Sequence, residues 1–382
     1  MRVALLTDGL YPYVVGGMQK HSYYLAKYLA RNKVHVDLYH TGPDVANTLQ
    51  LEGFSEDELS FISPCYIPFP SLTKLPGHYV LESYQFSSSV YEQLVSSTAV
   101  DFIYAQGFTG WKTIEKKKSG SMLPPIGVNF HGLEMFQPAP DLRVKLQHLL
   151  LREPVKYNVR NSDFVFSLGG KLTEILEGLT SKKVVEIPIG IEEKWINEKL
   201  PLKKNRPVTL VFVGRYERRK GITELQEALN ELIRTHDFKF IFIGPIPTEK
   251  QLKQERIKYS GLLNKEDEIQ AVLNSADVLV CPSYSEGMPT VILEAMACGL
   301  AVVATDVGAV SKLVSSETGW LIKPGDKEAL LSALTASVVA SDNDIALKKA
   351  NAANLISSHY TWNKIIKQTI EVISNVTTEK GN

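Results

Sequence analysis

Cysteine is scarce in this chain of 382 residues. Only Cys65, Cys281 and Cys298 occur, far apart and without a Cys-x-x-Cys or other metal-ligand spacing, which argues against a disulfide framework and against a structural zinc site. Net charge is also missing. Lys plus Arg and Asp plus Glu are both 42, so no global basic field draws the protein to nucleic acid, and any contact with a polyanion must come from a local patch. Long apolar runs are absent, since none approaches the roughly 18 residues of a membrane span. The N-terminal Met-Arg-Val-Ala-Leu-Leu-Thr-Asp turns polar after about four apolar residues, too short for a signal-peptide core. A cytoplasmic protein is expected, with the inner membrane face as its peripheral alternative. Gly-x-Gly-x-x-Gly does not follow the first strand, and no Gly-x-x-x-x-Gly-Lys-Ser/Thr loop occurs. Dinucleotide oxidoreductase and P-loop readings thereby lose their main support.

The chain has ample apolar material. It is 44% hydrophobic and 22% charged, enough for sizeable cores and too apolar for disorder, and its length exceeds what one core usually organises. Short apolar runs alternate with amphipathic stretches, the pattern of βα units around parallel sheets. The fold class expected is therefore α/β. Strands are expected at Val3–Leu6, Val34–Tyr39, Phe102–Ala105, Ile126–Phe130, Phe164–Ser167 and Val184–Ile187. The cycle restarts with Val208–Val213, Phe238–Ile243, Val278–Cys281, Ala301–Ala304 and Gly319–Ile322. Residues 192–207, with Pro201 and Pro207 and no convincing period, form the expected linker between a domain of residues 1–191 and one of residues 208–362. The acidic run Glu52–Glu58 and the basic run Lys116–Lys118 read as solvated loop or helix ends.

In open α/β sheets, ligands sit beyond the carboxyl ends of strands, where helix N-termini face anions. Four segments place chemistry there. Gly16 and Gly17 open the helix expected at Met18–Ala30, where glycines permit close approach and free amides suit a phosphate; a flexible loop explains them equally well. Strand Val208–Val213 runs into Gly214 and then Arg215, Arg218, Arg219 and Lys220, four cations in six residues. They suit a diphosphate, with a solvated basic turn as the plainer reading. The segment from Pro282 to Gly299 reads as loop, helix and stop, with Glu286 ahead of the helix and Glu294 within it. Two carboxylates in separate sub-sites can grip two sets of sugar hydroxyls; taken singly they would be a capping and a surface glutamate. His131 follows a strand in the first domain and could face a reacting group across a cleft, although a lone histidine is more often structural.

Together these segments resemble the family 4 retaining glycosyltransferases of the GT-B fold. The most specific piece is Glu286 to Glu294 within Ser-Glu-Gly-Met-Pro-Thr-Val-Ile-Leu-Glu-Ala-Met-Ala-Cys-Gly. Gly16-Gly17, His131-Gly132, Val-Gly-Arg215 through Lys220-Gly221, Asp277, Gly319-Trp-Leu-Ile-Lys-Pro-Gly and Tyr-Thr-Trp362 join it in the expected order. The resemblance implies two Rossmann-like domains facing a cleft, with a C-terminal helix of about 363–382 crossing back to the first domain, which holds the acceptor. It assigns Arg215 and Lys220 to the diphosphate of a nucleotide-sugar donor, with Gly16 and Gly17 against the phosphates. Glu294 would hold the ribose. Glu286, the backbone amides of Gly287 and Met288, and Thr290 would hold the donor sugar, with His131 beside it. Glu286, His131, Arg215 and Lys220 form the implied catalytic set, with no metal and no cofactor, because cations and amides neutralise the leaving diphosphate.

The implied activity is transfer of a sugar from a UDP- or GDP-sugar to a hydroxyl of a glycan or lipid-linked acceptor with retained configuration, in cell-envelope polysaccharide or glycolipid synthesis. A nucleotide-sugar epimerase of the same fold and a non-catalytic two-domain sugar-binding protein are the competing readings. The sequence departs from the family at Asp306-Val-Gly308-Ala309-Val-Ser-Lys312, where Gly-Gly and a glutamate are common, and at Gln106, where a histidine is frequent. Lys145, His148, Arg152, Lys156 and Arg160 recur at helical steps and form an expected basic stripe for an anionic membrane surface, with Pro154 expected to kink or restart the helix.

Overall fold

A computed structural model describes residues 1–42, 51–72, 77–197 and 207–379. The first sheet is built from β1 (Arg2–Leu6), β2 (His35–His40), β3 (Ile62–Tyr66), β4 (Phe102–Gln106), β5 (Ile126–Asn129), β6 (Phe164–Ser167) and β7 (Val184–Glu186). Its order is β3-β2-β1-β4-β5-β6-β7, and every pairing is parallel. The helices packed with it are α1 (Gly17–Arg31), α2 (Glu56–Leu59), α3 (His78–Ser96), α4 (Trp111–Lys118), α5 (Leu142–Asn161) and α6 (Lys171–Leu179). The second sheet contains β8 (Val208–Val213), β9 (Phe238–Ile243), β10 (Ile257–Tyr259), β11 (Val278–Cys281), β12 (Ala301–Thr305) and β13 (Gly319–Ile322), ordered β10-β9-β8-β11-β12-β13 and again wholly parallel. Its helices are α7 (Ile222–Leu232), α8 (Glu266–Ser275), α9 (Thr290–Ala297), α10 (Lys327–Val339) and α11 (Asp342–His359), and the chain closes with α12 (Trp362–Glu379).

Parallel strands covered on both faces must be apolar throughout. The central strands obey this: Val3 to Leu6 and Ala301 to Thr305 are buried at every position. The two strands that periodicity did not reveal, β3 and β10, both lie at sheet edges. β3 carries Pro64, tolerated where one side of the backbone has no ladder partner, and β10 is three residues long.

The connection between the sheets is packed rather than loose. In the first part of the expected linker, Trp195 is buried and its carbonyl faces the Cys298 thiol, while Asn197 donates its amide to the Ala297 carbonyl. Residues 198–206 of that linker lie outside the described residues. Ile191 and Thr361 form a parallel bridge, so the two crossings between the sheets run side by side. From there α12 lies on α1, where the buried Trp362 ring stacks 5.6 Å from Tyr28 and touches Tyr24 and His21.

Candidate functional site

The carboxyl ends of β1, β4 and β5 face those of β8, β11 and β12 across the junction, and the singled-out residues fall on both sides. Glu286 lies in the loop between β11 and α9 and is buried. Its carboxylate accepts hydrogen bonds from Lys220 Nζ (2.7 Å) and Ser283 Oγ (2.7 Å) and a longer one from Arg219 (3.4 Å). Burial alone would push this carboxyl up, but Lys220 and Arg219 outweigh it and hold the group below the ordinary carboxylate range. Arg215 stands apart from this cluster: its side chain is 70% exposed and pairs with Glu217 at 2.9 Å. Arg218 is occupied by a bidentate pair with Glu224 (2.8 and 2.6 Å) beneath the Tyr284 ring. Of the four cations in the run, Lys220 and Arg219 are the two that reach the buried carboxylate.

Eight residues later, Glu294 sits in α9 with its side chain buried. It faces Lys20, on the second turn of α1, whose ammonium donates to Glu294 Oε1 at 2.8 Å and stands 2.9 Å from Glu266. Burial would lower the Lys20 pKa, yet the two carboxylates win and raise it, so Lys20 stays charged. Thr290, Glu294, Lys20, Glu192 and Trp195 line one narrow cavity between the sheets. Met288 is buried, with its sulfur accepting the Ile189 amide at 3.3 Å.

Gly287 lies directly against the first domain. A Cβ added there would lie 1.9 Å from the His131 carbonyl oxygen, and one added at Gly308 (φ +53°) would lie 2.3 Å from the carbonyl oxygens of Glu286 and Gly287. A side chain at Gly287 would wedge its loop off the first domain, and one at Gly308 would push the two loops of the second domain apart. Gln137 completes the junction, donating to the Glu286 carbonyl at 2.7 Å and accepting from the Gly308 amide at 3.0 Å. The departing segment around Asp306 is also tied across the gap, by Lys171 to Asp306 at 2.8 Å and Lys312 to Glu186 at 3.0 Å. Gly17 differs from the other glycines here: a Cβ at this first residue of α1 would meet nothing within 4 Å. No neighbour among the described residues demands glycine there, which leaves room for a ligand at the helix N-terminus. Gly16 is its extended N-cap, with no side-chain cap.

His131 ends a buried chain. Its Nε2 donates to the Gln106 oxygen at 2.8 Å, and the Gln106 amide nitrogen donates to His21 Nδ1 at 3.0 Å. With Nε2 protonated, His131 Nδ1 is left as a buried acceptor with no partner among the described residues. Burial pushes the His131 imidazole down to about 3 and lowers His21 strongly, so both rings are neutral near pH 7. Asp8, after β1, is pushed up to about 6 by burial against the opposing hydrogen bond from Gln19.

Lys20, Gln137 and Asp8 escaped the sequence reading, and Arg219 was read only as one of the four cations after β8. Arg219 belonged to a recognised basic run, and Lys20 lies three residues beyond Gly17 on the same helix, so both had a local signal. Gln137 had none, since its partner is 149 positions away.

Two parallel-stranded α/β domains meeting at their strand carboxyl ends, with buried carboxylates and cations at the seam, define the GT-B class of glycosyltransferase folds. Sucrose-phosphate synthase from Thermosynechococcus elongatus superposes with a TM-score of 0.81 over 99% of each chain at 18% identity. Anabaena HepE, in a complex with UDP and glucose, superposes with a TM-score of 0.67 at 18% identity over 98% of this chain and 100% of that one. Residues 207–338 match the family model for glycosyl transferases group 1. TuaC of Bacillus subtilis (strain 168), named for teichuronic acid biosynthesis, is 35% identical over 47% of this chain and 48% of its own length. Phosphatidyl-myo-inositol mannosyltransferase of Mycobacterium leprae (strain TN) is 31% identical over 51% and 54%. An uncharacterized glycosyltransferase of Methanocaldococcus jannaschii is 23% identical over 95% of this chain and 96% of its own. The chain thus spans about half the length of the first two relatives and nearly all of the third.

Proposed function

We propose that the protein transfers a sugar from a UDP- or GDP-sugar to a hydroxyl of a glycan or lipid-linked acceptor, with retained anomeric configuration and without a metal. The observation that carries this reading is the pair of buried carboxylates at either end of one loop and helix, Glu286 against Lys220 and Arg219, and Glu294 against Lys20. Burying two carboxylates is costly unless cations and hydrogen bonds compensate, and fixed charge of this kind is characteristic of a site rather than of a fold support. UDP is the favoured nucleotide because HepE binds it. Cell-envelope or glycolipid synthesis is favoured by the names of the bacterial relatives.

In this reading Glu294 takes the donor ribose and Glu286, with the Gly287 and Met288 amides and Thr290, takes the sugar hydroxyls. Lys220 and Arg219 sit beside the diphosphate, joined by Arg215 when its exposed side chain swings from Glu217, while Gly16 and Gly17 admit the phosphates to the N-terminus of α1. Negative charge grows on the leaving diphosphate in the transition state, where cations already in place stabilise most. The neutral His131 offers Nδ1 as an acceptor to a sugar hydroxyl, and Gln106 fixes that tautomer.

Incubation with UDP- and GDP-hexoses, with and without acceptor alcohols, tests the proposal. Release of nucleotide coupled to a new glycoside in the presence of EDTA supports it. Epimerised donor in the absence of acceptor would indicate the epimerase reading, and binding without turnover the non-catalytic one.

A further inference from the structure

The helix α5 has two unlike halves. Val155, Asn158 and Val159 are buried against the first domain, whereas its opening turns stand out from the surface. Leu142, Leu146, Leu149 and Leu150 are between 47% and 70% exposed. Their spacing of four, seven and eight residues from the first puts them on one helical stripe. A run of four exposed leucines on consecutive turns is not what a water-facing helix carries. The basic stripe read from the sequence is largely committed elsewhere: Arg152 donates to the Met135 carbonyl at 2.9 Å and lies over Phe136, Lys156 pairs with Glu153, and Arg160 donates to the Leu179 carbonyl. Arg143 and Lys145 remain, exposed and without an ion pair among the described residues, and residues 142–152 contain no carboxylate at all. The helix is continuous through Pro154, so this outer half is held at a fixed angle by the packed half.

We infer that the outer half of α5 docks on an anionic lipid bilayer by inserting its leucine stripe, with Arg143 and Lys145 among the headgroups. Charge decides between occupants. In a symmetric contact with a second copy each stripe would bring its own cations against their like, whereas an anionic surface complements them and accepts leucine at the acyl boundary. The site sits well for this: Arg152 ties α5 to residues 135 and 136, and the next residue, Gln137, holds the Glu286 loop. A docked α5 therefore brings the acceptor side of the cleft to the membrane. The inference rests on the proposed function only in what the bilayer would present, a lipid-linked acceptor; vesicle binding is read without catalysis, so its failure leaves donor turnover standing.

The test is cosedimentation of the full chain with phosphatidylcholine vesicles containing phosphatidylglycerol, at low and high salt. Wild type should bind at low salt and keep part of that binding at high salt, since leucine insertion is not screened. A Leu146→Ser, Leu149→Ser, Leu150→Ser variant should lose binding at least about tenfold while keeping its melting temperature and nucleotide affinity. Arg143→Gln with Lys145→Gln should lose only the salt-sensitive part, and Leu149→Trp should show a blue-shifted emission on vesicles. A wild type that ignores these vesicles, a serine variant that binds as wild type does, or a wild-type dimer abolished by the serine changes would each overturn the inference.

Discussion

At the scale of single residues, the two glutamates are held by different partners and should fail differently. Removing Glu294 takes a charge-assisted acceptor from the proposed ribose position and leaves Lys20 with Glu266 alone. Glu294→Ala should weaken UDP or GDP binding by about 1.5 to 3 kcal/mol, read by calorimetry, and unchanged affinity would remove Glu294 from the donor site. Glu286→Ala should depress kcat far more than nucleotide affinity, because its proposed partner is the sugar; equal losses in both would undo that division. The histidines set a pH dependence. In the folded protein His131 titrates near 3 against 6.5 when unfolded, so between those values the unfolded chain binds more protons and stability falls as pH falls. The loss begins below pH 6.5 and steepens towards about 1.4 kcal/mol per pH unit for this ring. Urea titrations at pH 7 and pH 5 should differ less for His131→Asn than for wild type, and an equal difference would contradict the buried neutral imidazole.

At the scale of elements, α12 is fastened by Trp362, buried and stacked on Tyr28. Trp362→Ala should cost about 3 to 5 kcal/mol, as large aromatic truncations in cores do, measured by denaturant unfolding; a loss under about 1 kcal/mol would show that the helix is held otherwise. Central strands were legible in the sequence because burial on both faces leaves a continuous apolar run, and Phe164–Ser167, Val208–Val213 and Phe238–Ile243 have the bounds expected of them. Of the four edge strands, β7 and β13 were read and β3 and β10 were not: β3 carries Pro64, and β10 is three residues long with Lys258 at its centre. The same distinction governs the site. Glu286 and Glu294 could be read because they share one segment with its own turn, helix start and stop. Gln137 and the Lys20 to Glu294 contact could not, because they are fixed by how two domains meet. The stripe on α5 was read from its cations, yet its exposed leucines show only once the packed half of the helix is known.

At the scale of the molecule, the two halves meet through Gln137, Lys20, Lys171 and Gly287, so the proposed donor and acceptor sides are assembled by the junction itself. Gln137→Ala removes the hydrogen bonds to the Glu286 carbonyl and from the Gly308 amide and should lower kcat by about tenfold, one hydrogen bond's worth or slightly more, with little change in melting temperature; an unchanged rate would show that the clamp does not position the Glu286 loop. Because Lys220 and Arg219 supply positive charge beside the proposed diphosphate, chelation should leave activity largely intact, and rescue by manganese after abolition by EDTA would reject the metal-free mechanism. The central claim is group transfer with retention at Glu286. It is tested most directly by following, by NMR with EDTA present, the anomeric signals of a UDP- or GDP-hexose donor and of the glycoside formed from it by wild type and by Glu286→Ala. The account predicts a product with the donor's anomeric configuration and a variant slowed by orders of magnitude despite near-normal nucleotide binding; a product of inverted configuration, or a variant that turns over like wild type, would contradict it.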